Sequence, residues 1–252
     1  MKKIIVLAAG QGTRMNAELP KILMPLAGKP MIEYLIQSII KSGADNQPIV
    51  VVSPDNKDVI KNALKNYNCQ YAIQKRQLGT GHAMMCAKKY INKEASNIIC
   101  FYGDHPFVKA ETIKRLSKSY CGIITIATTI VSNFNDWKKN FYHWGRILRY
   151  KGQIEAIIEF KDATNEVKKI KEVNPGFYCF NRKWLWSNIE KLNNNNAQKE
   201  YYLTDLINLA FKQEQAINSI LINSEEAIGI NNKEELLTAE KIIAEAKHKK
   251  II

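Results

Sequence analysis

A chain of 252 residues with 46% apolar and 24% charged residues has an ordinary globular composition and room for one or two domains. Disorder, collagen and coiled coil are excluded as descriptions of the whole chain. Lysine and arginine exceed aspartate and glutamate by 37 − 24 = 13, which suggests anionic partners: nucleotides, nucleic acid or membrane lipid. The sequence contains no stretch of about 18 apolar residues, so no membrane span is expected. The run Ile4–Ala9 after Met-Lys-Lys is too short for the apolar part of a signal peptide, and Gly10-Gln11-Gly12 breaks it. The five cysteines (Cys69, Cys86, Cys100, Cys121, Cys179) form no CxxC, and an odd number argues against a closed disulfide set. A cytoplasmic chain with reduced thiols is the expectation.

In chain order, Ile4–Ala8 reads as a strand buried on both faces. Pro30–Ile40 reads as a helix with Pro30 at its first position. Ile49–Val52 is a strand, 58–66 a helix, Tyr71–Ile73 a strand, Gly81–Tyr90 a helix, and Asn97–Phe101 a strand ending at Tyr102-Gly103-Asp104. This β-α-β rhythm predicts a parallel sheet with helices on both faces. Ligands of such sheets sit beyond the carboxyl ends of the strands, where Gly10 and Asp104 lie. Past residue 120 the pattern changes. Ile123–Val131, Arg146–Tyr150, Ile154–Phe160 and Phe177–Phe180 read as strands of a mixed or antiparallel unit. Asn193–Asn196 reads as a polar loop, Thr204 as the N-cap of a helix beginning at Asp205, and 232–249 as a final helix.

Three strand-to-loop motifs carry chemistry. Leu7-Ala8-Ala9-Gly10-Gln11-Gly12-Thr13-Arg14, with Lys21 soon after, offers glycines for close phosphate approach and two cations to neutralise it. It is neither a P-loop nor a GxGxxG fingerprint. Gln74, followed by Gln77-Leu78-Gly79-Thr80-Gly81-His82, supplies a carboxamide whose donor and acceptor match a base edge. His82 reads as a cap or packing residue. Asp104 in Tyr102-Gly103-Asp104-His105 is the kind of lone turn carboxylate that Mg²⁺ takes, while His105 reads as structural or solvent-facing.

Together LAAGQGTRM with LPK, QLGTGHAM, YGD, EFKDA, NNNNAQKEYYLTD and GINN resemble the nucleotidyltransferases that make sugar nucleotides. The resemblance runs along essentially the whole chain. It is strongest to the uridylyltransferase domain of bacterial N-acetylglucosamine-1-phosphate uridylyltransferases. It implies a Rossmann-like α/β fold of the nucleotide-diphospho-sugar transferase type, with a mixed, mainly parallel sheet flanked by helices. It implies one domain over 1–252: a nucleotide half to about 110, a sugar half over about 111–230, and a C-terminal helix. Leu7, Ala8, Ala9, Gly10, Gln74, Gly79 and Thr80 would hold the nucleoside, and Arg14 and Lys21 its phosphates. Tyr102, Gly103, Gly145, Glu159 and Asn174 would bind the amino sugar. Asp104 and Asn231 would ligate Mg²⁺, with Asn232 the neighbouring alternative. The implied partners are UTP and an amino-sugar 1-phosphate, with no nucleic acid and no membrane.

The implied reaction needs no side-chain base. A sugar phosphate has a second pKa of about 6 and is already mostly dianionic at pH 7. Positioning and charge neutralisation then carry the catalysis. Four departures from the family pattern stand out. No hexapeptide repeats follow, so acetyl transfer is not expected. Asn174-Pro175-Gly176 replaces Asn-Thr-Gly, and Lys199 replaces a glycine. The segment Asn133–Trp144 is longer and more aromatic than the usual turn, and either closes over the sugar or packs as a surface clasp. Another sugar 1-phosphate or nucleotide, or a binding module without turnover, are the alternative readings.

Overall fold

The computed structural model describes residues 2–10, 19–118 and 122–248. Arg14 and Cys121 lie outside the described residues. The strands are β1 Lys2–Leu7, β2 Pro25–Leu26, β3 Lys29–Pro30, β4 Ile49–Val52, β5 Gln70–Ile73, β6 Asn97–Tyr102, β7 Ile124–Ile130, β8 Arg146–Tyr150, β9 Gln153–Ile158, β10 Glu172–Val173, β11 Tyr178–Asn181 and β12 Ile217–Leu221. The helices are α1 Met31–Ser42, α2 Lys57–Ala63, α3 Thr80–Ala87, α4 Ala110–Lys118, α5 Asn165–Lys168, α6 Arg182–Asn188, α7 Asp205–Lys212 and α8 Lys233–His248. Among the described residues no helix is long and apolar enough to cross a membrane.

Ten strands form one mixed sheet in the order β5-β4-β1-β6-β11-β7-β10-β8-β9, with β12 also paired to β7. β5, β4, β1 and β6 are mutually parallel, and β12 is parallel to β7. β11 runs antiparallel to both β6 and β7, and β10 and β9 continue the antiparallel pattern against β7 and β8. The fold is thus the expected α/β type. Side chains of successive β1 residues alternate between two cores. Ile4 and Val6 join α1 and α4 on one face, and Ile5 joins α3 and α7 on the other.

The strand order reverses at β1, whose neighbours β4 and β6 leave in opposite directions across the sheet. A crevice opens where the connections diverge, beyond the strand ends. Its floor is built from main chain: Gly103 N–H donates to Leu7 O at 2.9 Å and Ala8 N–H to Val51 O at 2.8 Å.

Several elements differ from the sequence expectation. The helix foreseen at Pro30 starts at Met31, with Pro30 in the cap position, and ends on Gly43 in the left-handed region. The β2–β3 hairpin turns through Ala27 and Gly28, both at positive φ. The strand expected over Ile154–Phe160 stops at Ile158, which frees Glu159 and Phe160 to leave the sheet. Thr204 precedes α7, but its hydroxyl makes no cap bond and donates instead to Glu159. α4, α5, α6, β10 and β12 are elements that the pattern reading did not separate from loops.

One buried anchor ties β1 to the loop after α1. Asp45 Oδ2 accepts from Ile4 N–H at 2.8 Å, its Oδ1 accepts from Gln47 N–H at 2.9 Å, and the buried Lys3 ammonium lies 3.4 Å away. Asp45→Ala leaves an uncompensated buried charge and an unpaired strand N–H. It should lower unfolding stability by about 3–5 kcal/mol, read as a drop in the urea midpoint. An unchanged midpoint would show that this anchor does not hold β1.

Candidate active site

Two cavities open at the carboxyl ends of β1 and β6, and both are lined by Tyr102 and Asp104. The first is walled by Leu7, Ala8, Ala9, Gly10, Lys21, Gln74, Gln77, Gly79, Thr80 and Glu200. The second, larger cavity is walled by Gly145, Glu159, Asn174, Asn231 and Asn232, with Asn140, His143, Trp144, Lys161, Gln198 and Glu235. The residues singled out for the nucleoside therefore gather on one side of Asp104, and most of those singled out for the sugar gather on the other. Gly103 sits between, in the floor. A Cβ there would come within 3.2 Å of Leu7 O.

The first cavity depends on a clasp between two distant segments. Tyr201 N–H donates to Leu78 O at 2.8 Å, Gly81 N–H to Tyr201 O at 2.8 Å, and Leu203 N–H to Thr80 Oγ1 at 2.9 Å. Gly79 has φ +104°, and a Cβ on it would stand 2.6 Å from Tyr201 O. The glycine is thus required by the clasp as well as by any ligand. Gln74 is buried. Its Nε2 donates to Gly79 O at 3.1 Å and lies 3.0 Å from His82 Nδ1. With the amino end engaged, its carbonyl oxygen is the end left to accept from a ligand.

Where the cavities meet, Lys21 Nζ lies 2.5 Å from Asp104 Oδ2 and 2.8 Å from Asn231 Oδ1. Burial alone would raise the Asp104 pKa. The Lys21 ammonium and the adjacent His105 outweigh it and hold the carboxyl well below the usual carboxylate range. Asp104 Oδ1 is withdrawn from solvent 2.8 Å from His105 Nδ1, without hydrogen-bond alignment. A carboxylate and a carboxamide oxygen already converge on one positive charge. Those hard oxygen donors fit a divalent cation. Asn232 is committed elsewhere. Its Oδ1 accepts from Glu235 N–H and its Nδ2 donates to Glu235 Oε1, both at 2.9 Å, closing a cap on α8. Glu235 Oε2 in turn accepts from Asn231 N–H at 2.5 Å.

His105 is buried edge-on to Phe177 and Trp144 at centroid distances of 5.0 and 5.6 Å, so of its two expected settings it takes the structural one. Gly229 makes room for it, since a Cβ there would fall 2.8 Å from its Nε2. Tyr102 lies over Gly176, at φ +83°, where a Cβ would drive into the ring. Asn174 lines the second cavity, but its carboxamide also braces the loop: Nδ2 donates to Tyr178 OH at 2.6 Å and Oδ1 accepts from Gly176 N–H at 3.0 Å. Pro175 forms the turn between them. Glu159 Oε1 accepts from the Thr204 hydroxyl at 3.1 Å. Burial, reinforced by Asp205, Asp162 and Glu200 and offset in part by Thr204, pushes its pKa up to about 7.

Some cavity residues were not assigned individually from the sequence: Gln77, Glu200, Asn140, His143, Lys161, Gln198 and Glu235. Gln77, Lys161, Gln198 and Glu200 lie inside quoted motifs, which was the available signal. Asn140 and His143 lie inside the aromatic Asn133–Trp144 segment, while nothing local marks Glu235. The C-terminal segment is also more than a closing helix, since it supplies one wall of the second cavity.

Comparison with known proteins decides the family. Residues 4–199 match the MobA-like NTP transferase domain. The chain belongs to that family. This nucleotidyltransferase is also similar to curated bacterial proteins named "Bifunctional protein GlmU". It is 39% identical to that of Caldicellulosiruptor saccharolyticus over 241 residues, covering 94% of this chain and 50% of the relative. It is 39% identical to that of Clostridium novyi over 246 residues, with 96% and 52% covered. It is 36% identical to that of Clostridium tetani over 245 residues, with 95% and 51% covered. The transferase spans about half the length of the curated relatives it matches.

The raised pKa of Glu159 gives the transferase a pH signature. A carboxyl with a folded pKa of about 7 and an ordinary value of 4.5 binds its proton more tightly when folded. Its contribution to stability is therefore favourable at low pH and is lost as pH rises from 4.5 through about 7. Glu159→Gln removes that loss. The variant should melt roughly 3–6 °C above wild type at pH 8, corresponding to about 1–2 kcal/mol, with little difference at pH 4.5. A pH-independent difference would place the Glu159 carboxyl in an ordinary solvated setting.

Proposed function

We propose that the chain transfers UMP from UTP to N-acetyl-α-D-glucosamine 1-phosphate, giving UDP-N-acetylglucosamine and pyrophosphate. One observation carries the reading: the two cavities share Tyr102 and Asp104, with Lys21 at their junction. A nucleoside triphosphate in the first cavity and a sugar phosphate in the second would bring their phosphates together there. The names of the half-matched relatives and the resemblance of NNNNAQKEYYLTD to the N-acetylglucosamine branch support the amino sugar.

The chemistry asked of the protein is positioning and charge management. Gln74 accepts the uracil N3–H through its carbonyl oxygen, and the Leu7–Gly10 backbone, Gly79 and Thr80 frame the nucleoside. Lys21, and Arg14 from outside the described residues, neutralise the triphosphate. Tyr102, Gly145, Glu159 and Asn174 surround the hexosamine. Gly145 is needed because a Cβ there would lie 2.9 Å from Ile157 Cγ2 and 3.5 Å from Glu159 Oε2. Asp104 and Asn231 would hold Mg²⁺, which when bound would supply positive charge to offset that of the phosphates and of departing pyrophosphate. The sugar phosphate dianion attacks in line without a protein base.

Pyrophosphate release tests this reading. N-acetylglucosamine 1-phosphate with UTP should give the highest kcat/KM in a panel of sugar phosphates and nucleotides. Glucose 1-phosphate used equally well would remove the N-acetyl assignment. Asp104→Asn should lower kcat at least about 10²-fold in a protein that still folds but melts below wild type, because shape is kept while Lys21 loses its ion-pair partner. Gln74→Ala should narrow the preference for UTP over CTP by about 1–3 kcal/mol. A preference left intact would mean that backbone groups read the base.

A further inference from the structure

Arg146 is fully buried, yet its guanidinium is held by main-chain carbonyls. Nη2 donates to Tyr142 O at 2.7 Å and to Lys168 O at 3.2 Å, Nε donates to Lys168 O at 3.3 Å, and Nη1 donates to Trp144 O and Phe141 O. These carbonyls end two short helical segments, the 3₁₀ turns over Asp136–His143 and α5, where unpaired carbonyls favour a cation. Phe134 and Tyr142 cover the guanidinium, with centroids 4.8 and 5.7 Å from Cζ.

The backbone of the same residue sits between the strands that deliver two cavity residues. Arg146 pairs with Ile158, one residue before Glu159, and with Val173, one residue before Asn174. Asn174 N–H donates to Gly145 O at 2.9 Å. The segment captured by the guanidinium presents Asn140, His143 and Trp144 to the second cavity. His143 meets Phe160 edge-on at 4.8 Å, and Trp144 meets His105 at 5.6 Å. The segment expected either to close over the sugar or to pack as a surface clasp thus lines the second cavity on one side. Its outer residues are exposed and its inner ones line the cavity.

We infer that Arg146 is a positioning residue for the sugar substrate: its carbonyl-bound guanidinium fixes the Asn140–Trp144 wall against the Glu159 and Asn174 side of the cavity. This rests on the reading of the second cavity as the sugar-phosphate site. Lysine cannot take the role, because one ammonium cannot reach four carbonyls spread over two segments. Nothing in the first cavity depends on this wall, so the consequence should be confined to one substrate.

The experiment is a steady-state comparison of the full chain, wild type against Arg146→Lys, varying UTP and N-acetylglucosamine 1-phosphate separately. The expected result is a rise of at least about tenfold in KM for the sugar phosphate, with KM for UTP within about twofold. A folded Arg146→Lys protein whose two KM values are unchanged, or rise together, overturns the inference. Should Arg146→Lys fail to fold, the double variant Asn140→Ala/His143→Ala, which alters only the wall surface, must show the same one-sided rise. Its absence overturns the inference equally. Wild-type protein showing no dependence of pyrophosphate release on any sugar phosphate overturns the sugar-site reading and this inference with it. Wild-type activity with unaltered variants overturns the inference alone.

Discussion

The site is organised around one half-buried charge cluster, in which the Lys21 ammonium is held between the Asp104 carboxylate and the Asn231 carboxamide. Its members come from three distant parts of the chain: the turn before β2, the end of β6, and the residue before the α8 cap. Bringing them together requires the parallel sheet to end at one level and the C-terminal segment to return across it. The main-chain bond from Ile230 N–H to Asp104 O, 3.0 Å long, fixes that return. Withdrawing a carboxylate from water, even in part, is unfavourable unless it is paired. The cluster is thus a constraint on the fold as well as a feature of the site, and both cavities take their shared edge from it.

Glycines permit the close approaches on either side. Gly79 yields to the Tyr201 backbone, Gly176 to the Tyr102 ring, Gly229 to His105 and Gly145 to Ile157. Each lets a neighbouring strand, loop or ring approach more closely than a Cβ would allow. The second cavity then adds a wall held by a buried arginine rather than by apolar packing alone, and a glutamate whose proton is retained up to about pH 7. A neutral, protonated carboxyl can donate as well as accept a hydrogen bond.

Much of this was legible from residue order. The alternation of apolar runs with amphipathic helices from Ile4 to Asp104 identified the parallel half, because strands buried on both faces have no competing pattern. Strand ends marked by Gly10, Gln74 and Asp104 located the crevice. The antiparallel half was less legible. β10 is two residues long, β12 is an edge strand with partly exposed side chains, and α4 has a narrow apolar stripe. The role of Thr204 was misread, because a helix cap is a local signal and the competing acceptor, Glu159, is 45 residues away. The engagement of the Asn232 side chain with Glu235 in the first turn of α8 is likewise a matter of tertiary geometry that residue order does not display. Arg146 resembles any strand residue until its four carbonyl partners are brought together by tertiary structure.

The central claim is that Asp104 and Asn231 form one cation site between the two cavities. It is tested most directly by anomalous diffraction from crystals of the full chain grown with UTP and Mn²⁺. The expected result is one strong manganese peak bonded to an oxygen of Asp104, an oxygen of Asn231 and phosphate oxygens of the nucleotide. A peak bonded to neither residue, with the nucleotide in the Gln74 cavity, would contradict it.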